Sequence, residues 1–354
     1  MKMLVFLKNS APQLTQFPEQ SAASSRGREF ACPAPRRRYA LLGELSFLFF
    51  CILILVFTTP TFAQPQDCGK SDSFVVFDEN NGNVLFEENA NNAIYPASLV
   101  KLMTLYLTFE ALERHKITMQ KILTVSARGE EISNVNKINT LHLKEGDKMT
   151  VREAIQGVIV KSFNESAVTL AEAVSDNEWE FVRKMNEKAQ KLGMNNTSFR
   201  NASGLHEDGQ YTTGYDLARL SSAIKKDFPQ YYPLFALKQF TYHGAEYKTR
   251  NHILVDYKGA EGLKTGFTNA AGFNLISAAR KNNHRVVSVL LGCATYQQRD
   301  QMTKELLDEA FQKISQNPKP SIVVRLTKGF NYSAKEKKKD DYEEEMRFGM
   351  RLDN

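Results

Sequence analysis

Cysteine and histidine are scarce in this chain, with four and six residues among 354. They form no cluster with the spacing of zinc ligands. No segment repeats along the sequence, which argues against a repeat architecture. We therefore predict neither a metal site nor a cofactor. The four cysteines are Cys32, Cys51, Cys68 and Cys293.

The apolar run Leu45–Phe57, at 13 residues, is short for a membrane helix, which needs about 20. The basic triplet Arg36–Arg38 precedes it, and a small-residue stretch ending at Ala63 follows it. This arrangement predicts that residues 1–63 form a signal peptide cleaved after Ala63. The alternatives are an uncleaved anchor, which would attach the chain to the membrane, and a buried core helix.

Net charge is also low once the N-terminal segment is set aside. The whole chain carries +6, but residues 64–354 hold 39 basic and 37 acidic residues. Nothing in this balance requires a nucleic-acid partner. With 42% hydrophobic and 24% charged residues, the composition is ordinary for a globular protein. We predict one globular domain over residues 64–315 and a charged tail over 316–354.

Hydrophobic periodicity predicts an α/β arrangement, with strands at both ends of the globular domain and helices between them. Thr150 and Glu153 form a capping-box pattern that opens one of these helices. The predicted helices cover about residues 97–113, 151–160, 165–175, 178–191, 214–227 and 297–314. The predicted strands cover about residues 73–78, 83–87, 261–267, 272–280 and 285–292.

The helix over residues 97–113 is apolar around its whole circumference, which indicates burial. Lys101 is anomalous there, because burying an ammonium group costs several kcal/mol unless it is paired or loses its proton. Ser98 lies three residues earlier on the same face and in the first turn, where developing negative charge is favoured. The pair can act as a nucleophile and its base. Alternatively, Ser98 caps the helix and Lys101 extends its head to water.

Two further motifs help to decide whether Ser98 and Lys101 are catalytic or structural. Ser162-Phe163-Asn164 falls between two predicted helices, where a hydroxyl and an amide can face a cleft or simply cap a helix. Lys264-Thr265-Gly266 falls in a predicted strand, where Lys264 and Thr265 can bind a carboxylate. Gly266 would let a ligand backbone approach closely, or would only end the strand. The ordered set of three motifs favours the catalytic interpretation.

The motifs resemble those of D-alanyl-D-alanine carboxypeptidases, the low-molecular-mass penicillin-binding proteins. The likeness extends to the segments Tyr95–Thr104, Asn196–Phe199, Asn201–Leu205 and Gly262–Gly266. It implies a β-lactamase/transpeptidase-like fold, a five-stranded antiparallel sheet with a helical cluster. It also implies removal of the terminal D-alanine from peptidoglycan pentapeptide stems, inhibition by β-lactams and a periplasmic or cell-envelope location.

The resemblance also implies roles for individual residues. Ser98 would be the nucleophile and Lys101 its base, while Ser162 and Asn164 would serve proton transfer and substrate positioning. Backbone N–H groups of Ser98 and Phe267 would form the oxyanion hole. The groups that bind the substrate would be those of Lys264, Thr265, Gly266, Phe267 and, on a weaker match, Arg299.

The sequence departs from the family pattern at two positions. Phe163 stands where glycine or alanine is usual and could narrow or re-shape the cleft, and Glu165 stands where aspartate is usual. The residues after Ser315 are too few for the second β domain of many relatives. A D,D-endopeptidase, a β-lactamase and a non-catalytic peptidoglycan-binding protein remain alternatives. If the family sheet places the first strand beside the last, Cys68 and Cys293 could approach bridging distance and form a disulfide. The alternative is a pair of inert thiols.

Overall fold

A computed structural model describes residues 73–135 and 140–316, which all belong to one compact unit. Its centre is an antiparallel five-stranded sheet with the strand order β2-β1-β9-β8-β7. Two short two-stranded sheets lie outside this sheet: β3 pairs with β4, and β5 and β6 form a hairpin. The strands are β1 (Ser73–Asp78), β2 (Asn83–Glu88), β3 (Ile122–Thr124), β4 (Lys148–Thr150), β5 (Gln239–Tyr242), β6 (Ala245–Lys248), β7 (Ala260–Thr268), β8 (Gly272–Lys281) and β9 (His284–Cys293).

Helices cover both faces of the sheet. On β1, Val75 and Phe77 belong to the core shared with most helices, whereas Phe74 and Val76 belong to the core beneath the last helix. Every residue of β1 is therefore buried, since neither face meets water. The α-helices are α1 (Lys101–Glu113), α2 (Ala127–Val135), α3 (Val151–Val160), α4 (Asn164–Val174), α5 (Glu178–Lys191), α6 (Gly214–Asp227), α7 (His252–Asp256) and α8 (Tyr296–Gln316).

The predicted elements are present with small shifts of their ends. The capping box is formed, because the Thr150 side chain accepts from the Glu153 N–H and the Glu153 carboxylate accepts from the Thr150 N–H. The helices α2 and α7, the strand pair β3 and β4, and the β5–β6 hairpin were not predicted from the sequence. Strands of three or four residues and a polar helix such as α2 are too short or too weakly patterned for periodicity to reveal.

Several predictions concern the chain ends. Residues 1–63, Cys68 and most of the tail over 316–354 lie outside the described residues. No helix within residues 73–135 and 140–316 is both long and apolar enough to cross a bilayer. The strand adjacency on which a Cys68–Cys293 disulfide would depend is present, because β1 pairs with β9 and Ser73 faces Leu291, two residues before the buried Cys293. The disulfide itself stays a prediction.

Candidate active site

The segment that carries Ser98 is a 3₁₀ turn, Ala97–Val100, which continues directly into α1. Ala97 has a φ of +48°, in the left-handed region that non-glycine residues rarely adopt. Such backbone conformations cost about 1–3 kcal/mol and cluster at functional sites. Ser98 is 8% exposed at the floor of a cleft, whereas Lys101 is completely buried.

Lys101 reaches Ser98 directly, as the sequence predicted. Its Nζ lies 3.0 Å from Ser98 Oγ and 2.8 Å from Asn164 Oδ1, and it also donates to the backbone oxygen of Ser203. Burial lowers the pKa of Lys101 to about 7, although the negative charge of Glu165 acts in the opposite direction. At neutral pH a large fraction of this amine can therefore accept a proton.

Ser162 and Asn164 lie at the junction between α3 and α4, and Ser162 has a φ of +65°. Asn164 Oδ1 accepts from Lys101, and Ser162 Oγ accepts from Lys264 Nζ at 2.8 Å. The junction therefore contacts both buried lysines, and each amine is held by a neutral acceptor. Ser162 contacts Lys264 and Asn164 contacts Lys101, so the two junction residues meet different lysines, and the proton relay through Ser162 stays a prediction.

Lys264, Thr265, Gly266 and Phe267 lie along β7, the edge strand beside the turn that carries Ser98. Burial and the neighbouring charges of Lys101, Arg250 and Arg299 hold the pKa of Lys264 well below its usual value. These four basic side chains therefore favour the binding of an anion, because its negative charge would relieve their mutual repulsion. The Phe267 ring stacks on the ring of Phe273 with a centroid separation of 4.2 Å.

Gly266 has a neighbour that the sequence did not predict. A Cβ at this position would lie 3.3 Å from Pro96 O and from the Leu99 side chain. The missing side chain therefore lets β7 approach the protein's own Ser98 turn. Gly266 also lines the cleft. The close approach of a ligand backbone to this glycine stays a prediction.

Arg299 lies in the same cleft and is oriented by two further side chains. Asp300 Oδ1 accepts from Arg299 Nε at 2.9 Å and Nη2 at 2.7 Å, while Asp300 Oδ2 lies 2.7 Å from His252 Nδ1. Although burial favours the neutral acid, these hydrogen bonds hold the pKa of Asp300 below its usual value. Two N–H groups of the guanidinium thus converge on one carboxylate oxygen, which restrains the orientation of the Arg299 side chain.

The sequence analysis missed Arg250, which follows β6 and lines the cleft. No motif marks an arginine in a segment between two short elements, and only the folded chain brings it to Ser98. The cleft is lined by Ser98, Ser162, Arg250, Thr265, Gly266, Phe267 and Arg299.

The segment Asn201–Leu205 packs against the start of the Ser98 turn. Asn201 Oδ1 accepts from the Gly204 N–H at 2.7 Å, and the Ser203 carbonyl accepts from Lys101. Gly204 has a φ of +80°, and a Cβ there would lie 2.0 Å from Ala97 O. Glycine is therefore required for this approach.

Glu165 is a second residue whose position only the fold reveals. It is fully buried, and its Oε1 accepts from Thr140 Oγ1 at 3.1 Å and from the Leu141 N–H. Burial raises the pKa of Glu165, while these hydrogen bonds and the charge of Lys101 act against that rise. No group of three histidine, cysteine or acidic side chains within the described ranges is arranged to hold a metal ion.

A sequence profile of the D-alanyl-D-alanine carboxypeptidase family matches residues 60–295 of this chain. The chain belongs to this family. The prediction of a serine peptidase among the low-molecular-mass penicillin-binding proteins is thereby confirmed. The curated relatives include D-alanyl-D-alanine carboxypeptidase DacF of Bacillus subtilis, 33% identical over 77% of this chain and 72% of its own length. DacD of Escherichia coli is 36% identical over 70% of this chain and 64% of its own length.

Solved structures of the D-alanyl-D-alanine carboxypeptidase family and its neighbours share the fold. Penicillin-binding protein 5 of Haemophilus influenzae is 34% identical, with a TM-score of 0.65 over 70% of this chain and 72% of that one. Penicillin-binding protein D2 of Listeria monocytogenes, in its ampicillin-bound form, is 30% identical, with a TM-score of 0.60 over 70% of this chain and all of that one. The predicted β-lactamase/transpeptidase-like fold, a five-stranded antiparallel sheet with a helical cluster, is confirmed.

Proposed function

We propose that this chain is an active serine D,D-carboxypeptidase that removes the terminal D-alanine from peptidoglycan pentapeptide stems. The observation that carries the proposal is the 3.0 Å contact between Lys101 Nζ and Ser98 Oγ. It supports a nucleophile with its base, because burial lowers the pKa of that lysine to about 7. A capping serine beside a solvated lysine would not have this environment.

In the proposed acylation step, Ser98 Oγ attacks the carbonyl carbon between the two D-alanines and passes its proton to neutral Lys101. Negative charge develops on the carbonyl oxygen, which the N–H groups of Ser98 and Phe267 would stabilise. The C–N bond then breaks, and the leaving amine takes the proton that Lys101 had accepted, relayed by Ser162, so that Lys101 is neutral again. Asn164 would keep the Lys101 amine oriented. Water finally hydrolyses the ester on Ser98 and restores the free hydroxyl.

The terminal carboxylate of the substrate would bind at the cationic side of the cleft. Lys264, Thr265 and Arg299 are the groups that the family resemblance suggests, and Arg250 adds a second guanidinium there. The cationic side chains of the cleft repel one another and thereby lower the pKa of Lys264. A bound carboxylate would neutralise these charges. This arrangement favours a peptide with a free C-terminus and supports carboxypeptidase over endopeptidase activity.

Intact-mass spectrometry after brief incubation with penicillin tests the nucleophile. We expect a gain of one penicilloyl group on the native chain and none on Ser98→Ala. An adduct that decays within seconds would favour a β-lactamase, and no adduct on folded protein would favour a non-catalytic binding protein. D-Alanine release from a pentapeptide, compared with cleavage of a D,D-crosslinked dimer, separates the two peptidase activities.

Export to the periplasm or cell envelope is also part of the proposal. It is supported by the basic triplet, the apolar run Leu45–Phe57 and the small-residue stretch ending at Ala63. N-terminal sequencing of the protein from an envelope fraction should begin at Gln64. A chain that retains residues 45–57 and sediments with membranes would instead indicate the anchor. After cleavage at Ala63, the mature chain would comprise the peptidase domain over 64–315 and the charged tail over 316–354.

A further inference from the structure

Phe163, the main departure from the family pattern, does not narrow the cleft. It stands between Ser162 and Asn164 but is only 2% exposed and is not among the residues that line the cleft. Its ring packs edge-on against Tyr247 at 5.4 Å and Phe240 at 6.2 Å between centroids. A cleft narrowed by this ring, one of the two sequence-based expectations, is therefore wrong, because the ring is buried against the β5–β6 hairpin. The other, a re-shaped cleft, stays a prediction.

This aromatic contact connects the Ser162–Asn164 junction to the β5–β6 hairpin. Phe240 and Tyr247 are cross-strand partners, and their rings stack at 5.3 Å. Gly157 on α3 leaves the space that Phe163 fills, since a Cβ there would lie 3.0 Å from the Phe163 ring. We call Phe163, Phe240 and Tyr247 the aromatic joint. Edge-on and stacked rings of this kind prefer defined geometries, so the joint orients the hairpin as well as burying it.

The hairpin leads directly to a charged group of the cleft. A hydrogen bond of 2.7 Å from the Thr249 N–H to Lys238 O closes its base, and Arg250 is the next residue. Arg250 lines the cleft together with Ser98 and lowers the pKa of Lys264 through its charge. The position of Arg250 is therefore coupled to the orientation of the hairpin.

We propose that Phe163 is a positioning residue that sets the affinity for the substrate's carboxylate by holding the β5–β6 hairpin, and with it Arg250, against the cleft. This inference rests on the proposed function of the cleft. The junction residues have divided tasks: Ser162 and Asn164 contact the two lysines, while Phe163 contacts the hairpin. Loss of the ring would release Arg250 but leave the Lys101–Ser98 contact unchanged.

Steady-state kinetics with two matched ester substrates tests the proposal. One has a leaving group that carries a carboxylate, and the other has a leaving group that lacks it. For Phe163→Ala we expect KM to rise about tenfold for the first substrate only, with kcat within about twofold for both. Phe163→Leu, which keeps most of the buried volume, should restore most of the affinity.

One further variant controls for a general loss of stability, and another tests the aromatic joint from the side of the hairpin. Phe181→Ala removes a fully buried ring on α5, and we expect it to leave KM for both substrates unchanged. Tyr247→Leu opens the joint from the hairpin side and should reproduce the KM effect. It also supplies the test if Phe163→Ala does not fold. An equal rise of KM for both substrates would overturn the inference.

Hydrogen exchange distinguishes failure of this inference from failure of the proposed function. Amides of residues 239–249 should exchange faster in Phe163→Ala than in the native chain or Phe181→Ala. Unchanged exchange there would refute the joint even if the enzyme is active. Absence of a Ser98 adduct in the native chain would instead refute the proposed function, and the exchange result would still report on the joint.

Discussion

At the scale of single residues, Lys101 combines full burial with three polar contacts. Its amine donates to Ser98, Asn164 and the Ser203 backbone oxygen, so that all three hydrogens of a protonated amine would have acceptors. Desolvation nevertheless opposes the charge and lowers its pKa to about 7. The contacts fix where the amine lies, and the burial decides how readily it takes a proton.

We expect the acid limb of the pH profile to follow Lys101. The base must be neutral, and its neutral fraction grows as pH rises through a pKa of about 7. For an ester without a carboxylate, kcat/KM should therefore rise about tenfold per pH unit below this value and level off above it. Stopped-flow acylation between pH 5 and 9 measures the profile. A rate that falls with rising pH would contradict a neutral lysine base.

Glu165 should tune this profile without touching Ser98. Its negative charge favours the protonated form of Lys101, so Glu165→Gln should lower the pKa of that lysine. Glutamine can still accept from Thr140 and Leu141 through its side-chain oxygen. The acid limb of the acylation profile should then move to lower pH. A shift to higher pH, or none with the fold intact, would show that the Glu165 charge does not act on Lys101.

At the scale of elements, the site is assembled from chain segments that approach one another without side chains between them. Gly204 lets the Asn201–Leu205 segment approach Ala97, and Gly266 lets β7 approach Pro96 and Leu99. The Ser98 turn is thereby held from two sides. Its geometry depends on the absence of a Cβ at both positions, in addition to the helix that follows it.

Gly204→Ala should therefore displace the Ser98 turn. The added Cβ would lie 2.0 Å from Ala97 O, and backbone must shift to relieve the contact. We expect the rate of acylation by penicillin to fall about a hundredfold, as small misplacements of reacting groups do. Gly209→Ala is the matched control, since φ is +77° there but the neighbour is the flexible Arg200 side chain. Equal losses in both variants would point to backbone strain alone.

At the scale of the whole molecule, Arg285 connects parts of the fold that are far apart in sequence. It is 1% exposed on β9 and pairs with Glu79 after β1 and with Glu261 on β7, where Nε lies 2.6 Å from Oε2. Its guanidinium also lies over the Tyr232 ring at 4.8 Å. Arg285 therefore links the end of β1, the strand β7 and the segment that precedes β5.

Removing Arg285 should destabilise the fold strongly. Arg285→Ala would leave the carboxylates of Glu79 and Glu261 without their buried partner, at a cost of roughly 3–5 kcal/mol in the free energy of unfolding. Arg280→Ala removes a 47% exposed side chain that also pairs with Glu261, and should cost less than about 1 kcal/mol. Urea denaturation of both variants measures the difference. Similar losses would show that the buried ion pairs do not stabilise the fold.

Much of the fold was accessible to the sequence, because helix periodicity, the capping box and the long strands depend on neighbouring residues. The helix Glu178–Lys191 and the helix Gly214–Asp227 have the predicted bounds. The five-stranded antiparallel sheet and the roles of the site residues were implied by the family resemblance, whereas the strand order appears only in the structure. The short strands β3 to β6 were not predicted, since three or four residues carry too little pattern to be recognised.

By itself, the sequence determined the identity of the motif residues and the anomaly of a lysine on an apolar helix. The tertiary structure alone decided which groups meet. Lys101 and Asn164 are 63 residues apart in the chain, and Ser162 and Lys264 are 102 apart. Arg250 in the cleft and Phe163 turned toward the hairpin follow from packing between distant segments. Local pattern cannot reveal such contacts, because they depend on which surfaces the whole chain buries together.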